Sequence, residues 1–188
     1  MKGIISFLVV MVLAGCAQES DTTGVVYSGK ANLSTPLHQF TAINDDSGKD
    51  IILTMTGPRE LTFNINDSVS HIDYEEKLII IRSETDQSEW TAKKVRGGFE
   101  LEDGTSLEYE NCQGWTICLL DGGTKLPLLK GKYTLHASSV EITLWISESE
   151  KHVELLGLMA NALFNKSRYE KQSIESALET LSSQVWTY

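Results

Sequence analysis

The sequence predicts a mainly β protein, an antiparallel sandwich or barrel followed by two C-terminal helices. Short segments from residue 24 onward alternate apolar and polar residues with a period of two, and turn residues separate these segments at regular intervals. The last forty residues change to helical spacing instead. Strands at this spacing, with no long helix between them, are typical of both sandwiches and barrels, so both architectures stay open.

Eight candidate strands occupy the first part of the chain. The clearest example contains Leu61, Phe63 and Ile65 with polar residues between them, the alternation of a half-buried strand. Clusters such as 44–48 supply the intervening turns, because Asn, Asp, Ser and Gly suit turn conformations. The predicted strands are 25–33, 37–43, 50–55, 60–65, 70–74, 77–82, 89–95 and 98–101.

Hairpin signals continue beyond residue 101. Asp103-Gly104 lies between two apolar pairs and predicts a tight hairpin, because a two-residue type I′ turn needs residues that tolerate positive φ. A similar turn is expected at 121–123. Two further strands follow at 132–136 and 140–146.

The C-terminal segment predicts two helices. Ser147 with Glu150 forms one candidate capping box, and Ser167 with Glu170 forms a second. Apolar residues recur at helical spacing after each box, and the first helix is apolar nearly all round, which indicates that it is buried. The predicted helices span 149–165 and 168–184.

The N-terminus contains an apolar run over 4–13, which is too short to cross a bilayer and is typical of a secretory signal core. The residues that follow, Leu13-Ala14-Gly15-Cys16, resemble the lipobox of bacterial lipoproteins. This resemblance implies that 1–15 is a signal peptide that is removed and that Cys16 carries the acyl chains, palmitate among them. Two or more chains would anchor the protein stably to a membrane. An ordinary secretory signal and an uncut N-terminal anchor are the alternatives.

The resemblance also predicts a location and a domain organisation. Ala17 stands where the family's inner-membrane retention signal has aspartate, so we expect the outer membrane of a Gram-negative cell, with the protein facing the periplasm. Residues 16–23 would form the lipidated N-terminus and a flexible polar tether. The β-rich domain is predicted at 24–147, and the helical segment packed on it at 148–188.

Cys112 and Cys118 remain as a pair once Cys16 is assigned to the lipid. An even pair in an exported protein predicts a disulfide, and Gly114 between them could allow the chain to reverse. A metal site would need further ligands, and no histidine lies in this segment. A redox-active pair more typically has a two-residue spacing.

Other side chains have a chemical interpretation beside a structural one. The four histidines at 38, 71, 136 and 152 have no metal-binding spacing, and Asn44, Asp45, Asp46 and Asp50 fit a turn better than an EF-hand calcium loop. We therefore expect no metal and no cofactor. The remaining candidates are carboxylates expected on solvated edges (Asp73, Glu75, Glu76, Glu100, Glu102, Asp103, Glu108 and Glu110) and aromatic residues expected in the core or a pocket (Trp90, Trp115, Trp145, Trp186, Tyr27, Tyr74, Tyr109 and Tyr133).

Composition and motifs favour a role without catalysis. The net charge of −10 excludes the basic surface that nucleic-acid binding requires. No nucleophile elbow, Walker A loop or dinucleotide fingerprint is present. We expect a membrane-anchored interaction, assembly or immunity/inhibitor module that binds another envelope protein. The alternative is a lipocalin-like carrier of an apolar ligand, although the Gly-x-Trp of lipocalins is missing, and an envelope hydrolase is the least supported function.

Overall fold

The computed structural model describes residues 23–33, 39–44, 50–57, 60–65, 68–148 and 152–185. The predicted signal peptide (1–15), the predicted lipidation site Cys16 and most of the predicted tether lie outside the described residues. The lipid anchor therefore stays a prediction.

Within the described residues, twelve antiparallel strands form a closed barrel. Each strand pairs with the next along the chain, and β1 pairs with β12 from Gly24 opposite Ser147 to Asn32 opposite Ser139, which closes the sheet. The mainly β prediction is confirmed, and the architecture is a barrel rather than a sandwich. The strands are β1 (Gly24–Asn32), β2 (Gln39–Ile43), β3 (Asp50–Gly57), β4 (Glu60–Ile65), β5 (Ser68–Tyr74), β6 (Leu78–Ser83), β7 (Glu89–Val95), β8 (Gly98–Leu101), β9 (Ser106–Glu110), β10 (Ile117–Asp121), β11 (Pro127–Leu135) and β12 (Ser139–Ser147).

The period-two alternation places one face of every strand inside the barrel. In β4 the inner residues Leu61, Phe63 and Ile65 are buried, whereas the intervening residues are partly exposed. The same alternation puts Ile142 and Leu144 of β12 on the inner face, where both are fully buried. The core of the protein is therefore the barrel interior.

One continuous helix, α1 (Leu155–Val185), follows the barrel, so the prediction of two helices is wrong. Ser167 does not begin a second helix, because its buried hydroxyl donates a hydrogen bond to the carbonyl of Phe164 at 2.7 Å. No glycine or proline occurs from 158 to 185 to interrupt the helix. Ser147 is also not a helix cap, since it is the last residue of β12.

The first turns of α1 lie inside the barrel. The barrel has two ends, which we name for what lies there. The end at which β12 terminates is called the entry end. The opposite end contains the connection 111–116 and is called the disulfide end. Just before α1, the ring of His152 lies 4.5 Å from that of Trp90, near the entry end of β7. Asn161 contacts Tyr74 at the disulfide end of β5. Residues 155–164 rise by about 15 Å along the helix axis, so α1 passes through the barrel toward the disulfide end.

Beyond the barrel, α1 continues into solvent. Tyr133 of β11 donates a hydrogen bond to Glu170, and the five residues after Lys171, 172–176, are all exposed. We call 172–176 the projecting segment of α1. Among the described residues, no helix combines the length and apolar character needed to span a membrane.

Candidate functional site

A cavity of about 180 Å³ lies inside the barrel between α1 and the strands β5 to β10. Its apolar wall is formed by strand residues on one side and by the first turns of α1 on the other. That wall consists of Ile79, Phe99, Ile117, Leu119, Leu155, Leu158, Met159 and Ala162.

Polar groups gather where the cavity meets the disulfide end. Tyr74, Lys94 and Tyr109 come from three strands, and Asn161 comes from α1. The three strand residues follow Ile72, Ala92 and Leu107, which are buried inner-face positions two residues earlier. Because side chains alternate along a strand, the same period that buries the core brings these polar groups to one mouth.

Tyr74 is fixed in this mouth by a hydrogen bond and by burial. The Nδ2 atom of Asn161 donates to the Tyr74 hydroxyl at 3.2 Å. Burial raises the pKa of Tyr74 to about 12, so the phenol keeps its proton at neutral pH. Tyr109 is 47% exposed, and its ring lies 5.5 Å from that of Phe99. The mouth is therefore lined by one ordered phenol and one that faces solvent.

Lys94 supplies a positive charge to the mouth. Its Nζ atom lies 5.4 Å from the centroid of the Tyr74 ring, and the side chain is exposed. Other surface cations hold carboxylates: Arg82 binds Asp73 and Glu89, and Lys125 binds Glu108. Within the described part of the chain, no carboxylate forms a salt bridge with Lys94.

Two glycines allow α1 to lie close to the inner wall. A Cβ atom on Gly157 would lie 2.9 Å from Cδ2 of Phe63 and 3.2 Å from Cδ1 of Ile72. On the strand side, a Cβ on Gly131 would lie 2.6 Å from Cδ1 of Leu163. These separations are shorter than ordinary carbon contacts, so the close packing of the helix requires glycine, which has no side chain, at both positions. The packed helix leaves the cavity on the side of β5 to β10.

The disulfide lies beside a groove next to the cavity. Cys112 and Cys118 are bonded, with their Cα atoms 5.8 Å apart, which confirms the predicted pair. A more open groove of about 310 Å³ lies beside this connection, and it shares Tyr109 and Ile117 with the cavity. The bridge therefore closes the connection between Tyr109 and Ile117, both of which line the cavity.

The histidines of the described chain do not come together. His71 contacts Glu84 at 2.6 Å on the outer surface, and His136 lies 3.5 Å from Glu141. His152 packs on Trp90, and His38 lies outside the described residues. In the part of the chain that the structure describes, no group of three or more His, Cys, Asp or Glu side chains could hold a metal ion.

The other candidates from the sequence have separate positions. Of the proposed calcium ligands, Asp45 and Asp46 are outside the described residues, and the Asn44 amide donates to the Val26 carbonyl at 2.8 Å. Among the aromatic candidates, Trp145 packs against Lys130, whose Nζ atom lies 4.6 Å from the centroid of the Trp145 ring.

The aromatic candidates divide between the cavity and other parts of the barrel. Tyr74 and Tyr109 line the cavity, in agreement with the expectation that some aromatic residues line a pocket. Tyr27 is buried in β1. Trp115 packs against Lys132 at 5.3 Å, and Trp186 is not among the described residues. Lys94 was not among the candidates predicted from the sequence. The signal that could have identified it is its spacing of two residues from Ala92, which places both on the inner face of β7.

Comparison with protein-family models, with curated proteins and with solved structures finds no match for this chain.

Proposed function

We propose that this protein is a non-catalytic binding protein that holds a small apolar ligand between α1 and the barrel wall. The observation that carries the proposal is the apolar cavity of about 180 Å³, which opens at a mouth of four polar side chains. Ligand sites are typically apolar pockets with a few placed polar groups, and barrel mouths are among their usual positions. This cavity has that composition.

The size of the cavity limits the ligand. Typical sites for drug-sized molecules enclose about 300–1,000 Å³. An engineered apolar cavity of about 150 Å³ binds benzene. A volume of about 180 Å³ therefore suits one aromatic ring or a short alkyl chain rather than a whole lipid. The helix that fills the rest of the interior sets this limit.

Methyl NMR of the protein in phosphatidylcholine nanodiscs tests the proposal without detergent, which would compete for an apolar cavity. Titration with 1-hexanol should shift the methyl signals of Ile79, Ile117 and Leu155, which line the cavity. The methyls of Ile51 and Ile142 are buried elsewhere in the barrel and serve as controls. Equal shifts at both sets, or none at the cavity set, would contradict the proposal.

Membrane attachment through acyl chains on Cys16 is part of the same proposal, supported by the lipobox resemblance. It would place the ligand site at the surface of the outer membrane, facing the periplasm. Replacing Cys16 with serine should abolish incorporation of labelled palmitate and release the protein from membrane fractions if the anchor depends on that thiol. Unchanged labelling and fractionation would refute the anchor, whereas the cavity proposal would stand.

A second function, interaction with another envelope protein, is supported by the projecting segment. Residues 172–176 are exposed, and Ile174 among them is 49% exposed. Helical spacing of Ile174, Leu178, Leu181 and Val185 in the sequence is typical of a helix that packs on a partner. A chain ending at Lys171 should keep its barrel and lose partners captured by the full protein. Retention of the same partners would exclude this segment as the interface.

A further inference from the structure

The mouth of the cavity combines an apolar interior with one positive charge. Lys94 is on the inner face of β7, yet its side chain is exposed at the disulfide end. A ligand seated in the cavity would therefore have its inner part among apolar side chains and its outer part beside an ammonium group. This arrangement selects for molecules that are polar at one end.

A second donor faces the same position. The Tyr74 hydroxyl already accepts a hydrogen bond from Asn161, so its own proton is the group that it can offer to a ligand. Since burial raises the pKa of Tyr74 to about 12, that proton is present at neutral pH. Two donors, one of them charged, suit an anionic acceptor better than a neutral or cationic one.

We propose that the ligand is a small monocarboxylate amphiphile, with its hydrocarbon part in the cavity and its carboxylate at Lys94 and Tyr74. This inference rests on the proposed ligand-binding function and names the chemical class of the ligand. Glu110 lies on the rim of the neighbouring groove, where its charge would oppose an anion, so the carboxylate is expected on the Lys94 side of the mouth.

The probe for this proposal is hexanoate, because its chain matches the small volume of the cavity. The matched probes are 1-hexanol and hexylammonium, which have the same chain with a neutral or a positive end. Each is titrated into the full-length protein in phosphatidylcholine nanodiscs, and the Ile79 and Ile117 methyl signals give the apparent affinities.

The variant Lys94→Gln removes the charge at the mouth, and Lys93→Gln is its matched control. Lys93 is the preceding residue of β7, is also exposed and faces the outside of the barrel. Exposed ion pairs contribute modestly, so we expect Lys94→Gln to weaken hexanoate binding about threefold. Lys93→Gln should leave hexanoate and hexanol binding unchanged, whereas Lys94→Gln should reduce the preference for hexanoate over hexanol.

Three results would overturn the proposal in distinguishable ways. Equal hexanoate affinity in wild type and Lys94→Gln, or hexylammonium binding as tight as hexanoate binding, would refute the ligand class. If hexanol still binds in either case, only the ligand class is refuted and the proposed apolar site is not. Absence of cavity shifts with all three probes would refute the site itself, and the inference with it.

Discussion

Substitution of Gly157 tests directly whether α1 lies inside the barrel. Alanine in place of glycine in an exposed helix is stabilising by about 1 kcal/mol, because glycine loses more backbone entropy on folding. In this structure the added Cβ would lie 2.9 Å from Cδ2 of Phe63, a fully buried ring. Carbon atoms normally approach to about 3.5–4.0 Å, so the ring or the helix must move.

The two effects on the free energy of unfolding oppose each other. Overpacking a core by one methyl group costs about 1–3 kcal/mol, which offsets or exceeds the gain in helix propensity. We therefore expect Gly157→Ala to lose up to about 2 kcal/mol and Gly157→Val to lose more, because valine adds two further methyl groups and a branched Cβ. Neither substitution should stabilise the fold.

Urea unfolding followed by circular dichroism measures these differences, provided that two probes give coincident transitions. Gln172→Ala is the matched control, since residue 172 belongs to the same helix and is exposed. Its effect should stay within about 0.5 kcal/mol. A gain of about 1 kcal/mol for Gly157→Ala would show helix propensity without packing strain, and would refute the placement of this turn against Phe63.

The remaining predictions concern the disulfide and two titrating groups. Replacing Cys112 and Cys118 with serine should lower the free energy of unfolding by about 2 kcal/mol, the loop-entropy value for a short closed loop, and an unchanged urea midpoint would contradict this. Hydrogen bonds from the Ser88 hydroxyl at 2.7 Å, and further ones from the Ser83 side chain and the Ser88 backbone, lower the pKa of Asp86 from its ordinary value of 3.8 to about 2. The stability from that carboxylate is therefore present above pH 3.8 and lost as pH falls toward 2. In a plot of the urea midpoint against pH, the Asp86→Asn variant should show a smaller decrease at acid pH than the wild type. Burial raises the pKa of Tyr74 to about 12, so its stabilising neutral form is retained below pH 10 and lost as pH rises toward 12. Tyr74→Phe should remove one phenol's share of the late-titrating absorbance and leave that of Tyr133, whose pKa burial also raises to about 12; identical titration curves would contradict the burial of Tyr74.

Local sequence features predicted most of the barrel because each strand has its own alternation. The segments predicted at 60–65, 89–95 and 98–101 match the observed strands residue for residue. The hairpin at Asp103-Gly104 also forms, although its connection has four residues and only Gly104 of the pair has a positive φ. Turn residues thus located the reversal, whereas the number of residues in the turn depends on how β8 and β9 pair.

Two strands were harder to predict. β10 is Ile-Cys-Leu-Leu-Asp, in which neighbouring apolar residues obscure the period of two. Cys118 is buried on the outer face by its disulfide, so burial there does not alternate either. β11 begins at Pro127, five residues before the predicted start, because a register shift near Leu120 accommodates the proline at the beginning of the strand.

The path of α1 shows why the candidate site could not be predicted from the sequence. A helix that is apolar nearly all round is expected to be buried, but that pattern does not distinguish a helix beneath a sheet from one inside a closed barrel. The difference depends on Gly131 and Gly157, which are 26 residues apart in the sequence and serve two separate contacts of α1. Gly131 of β11 makes room for Leu163, whereas Gly157 of α1 lies against Phe63 of β4 and Ile72 of β5. These contacts hold α1 against β11 and against β4 and β5, and the cavity lies between the helix and the strands β5 to β10, with Lys94 and Tyr74 at its mouth. A glycine in a helical pattern and a lysine in a strand pattern each weaken a local prediction, yet both become informative once the barrel closes around the helix.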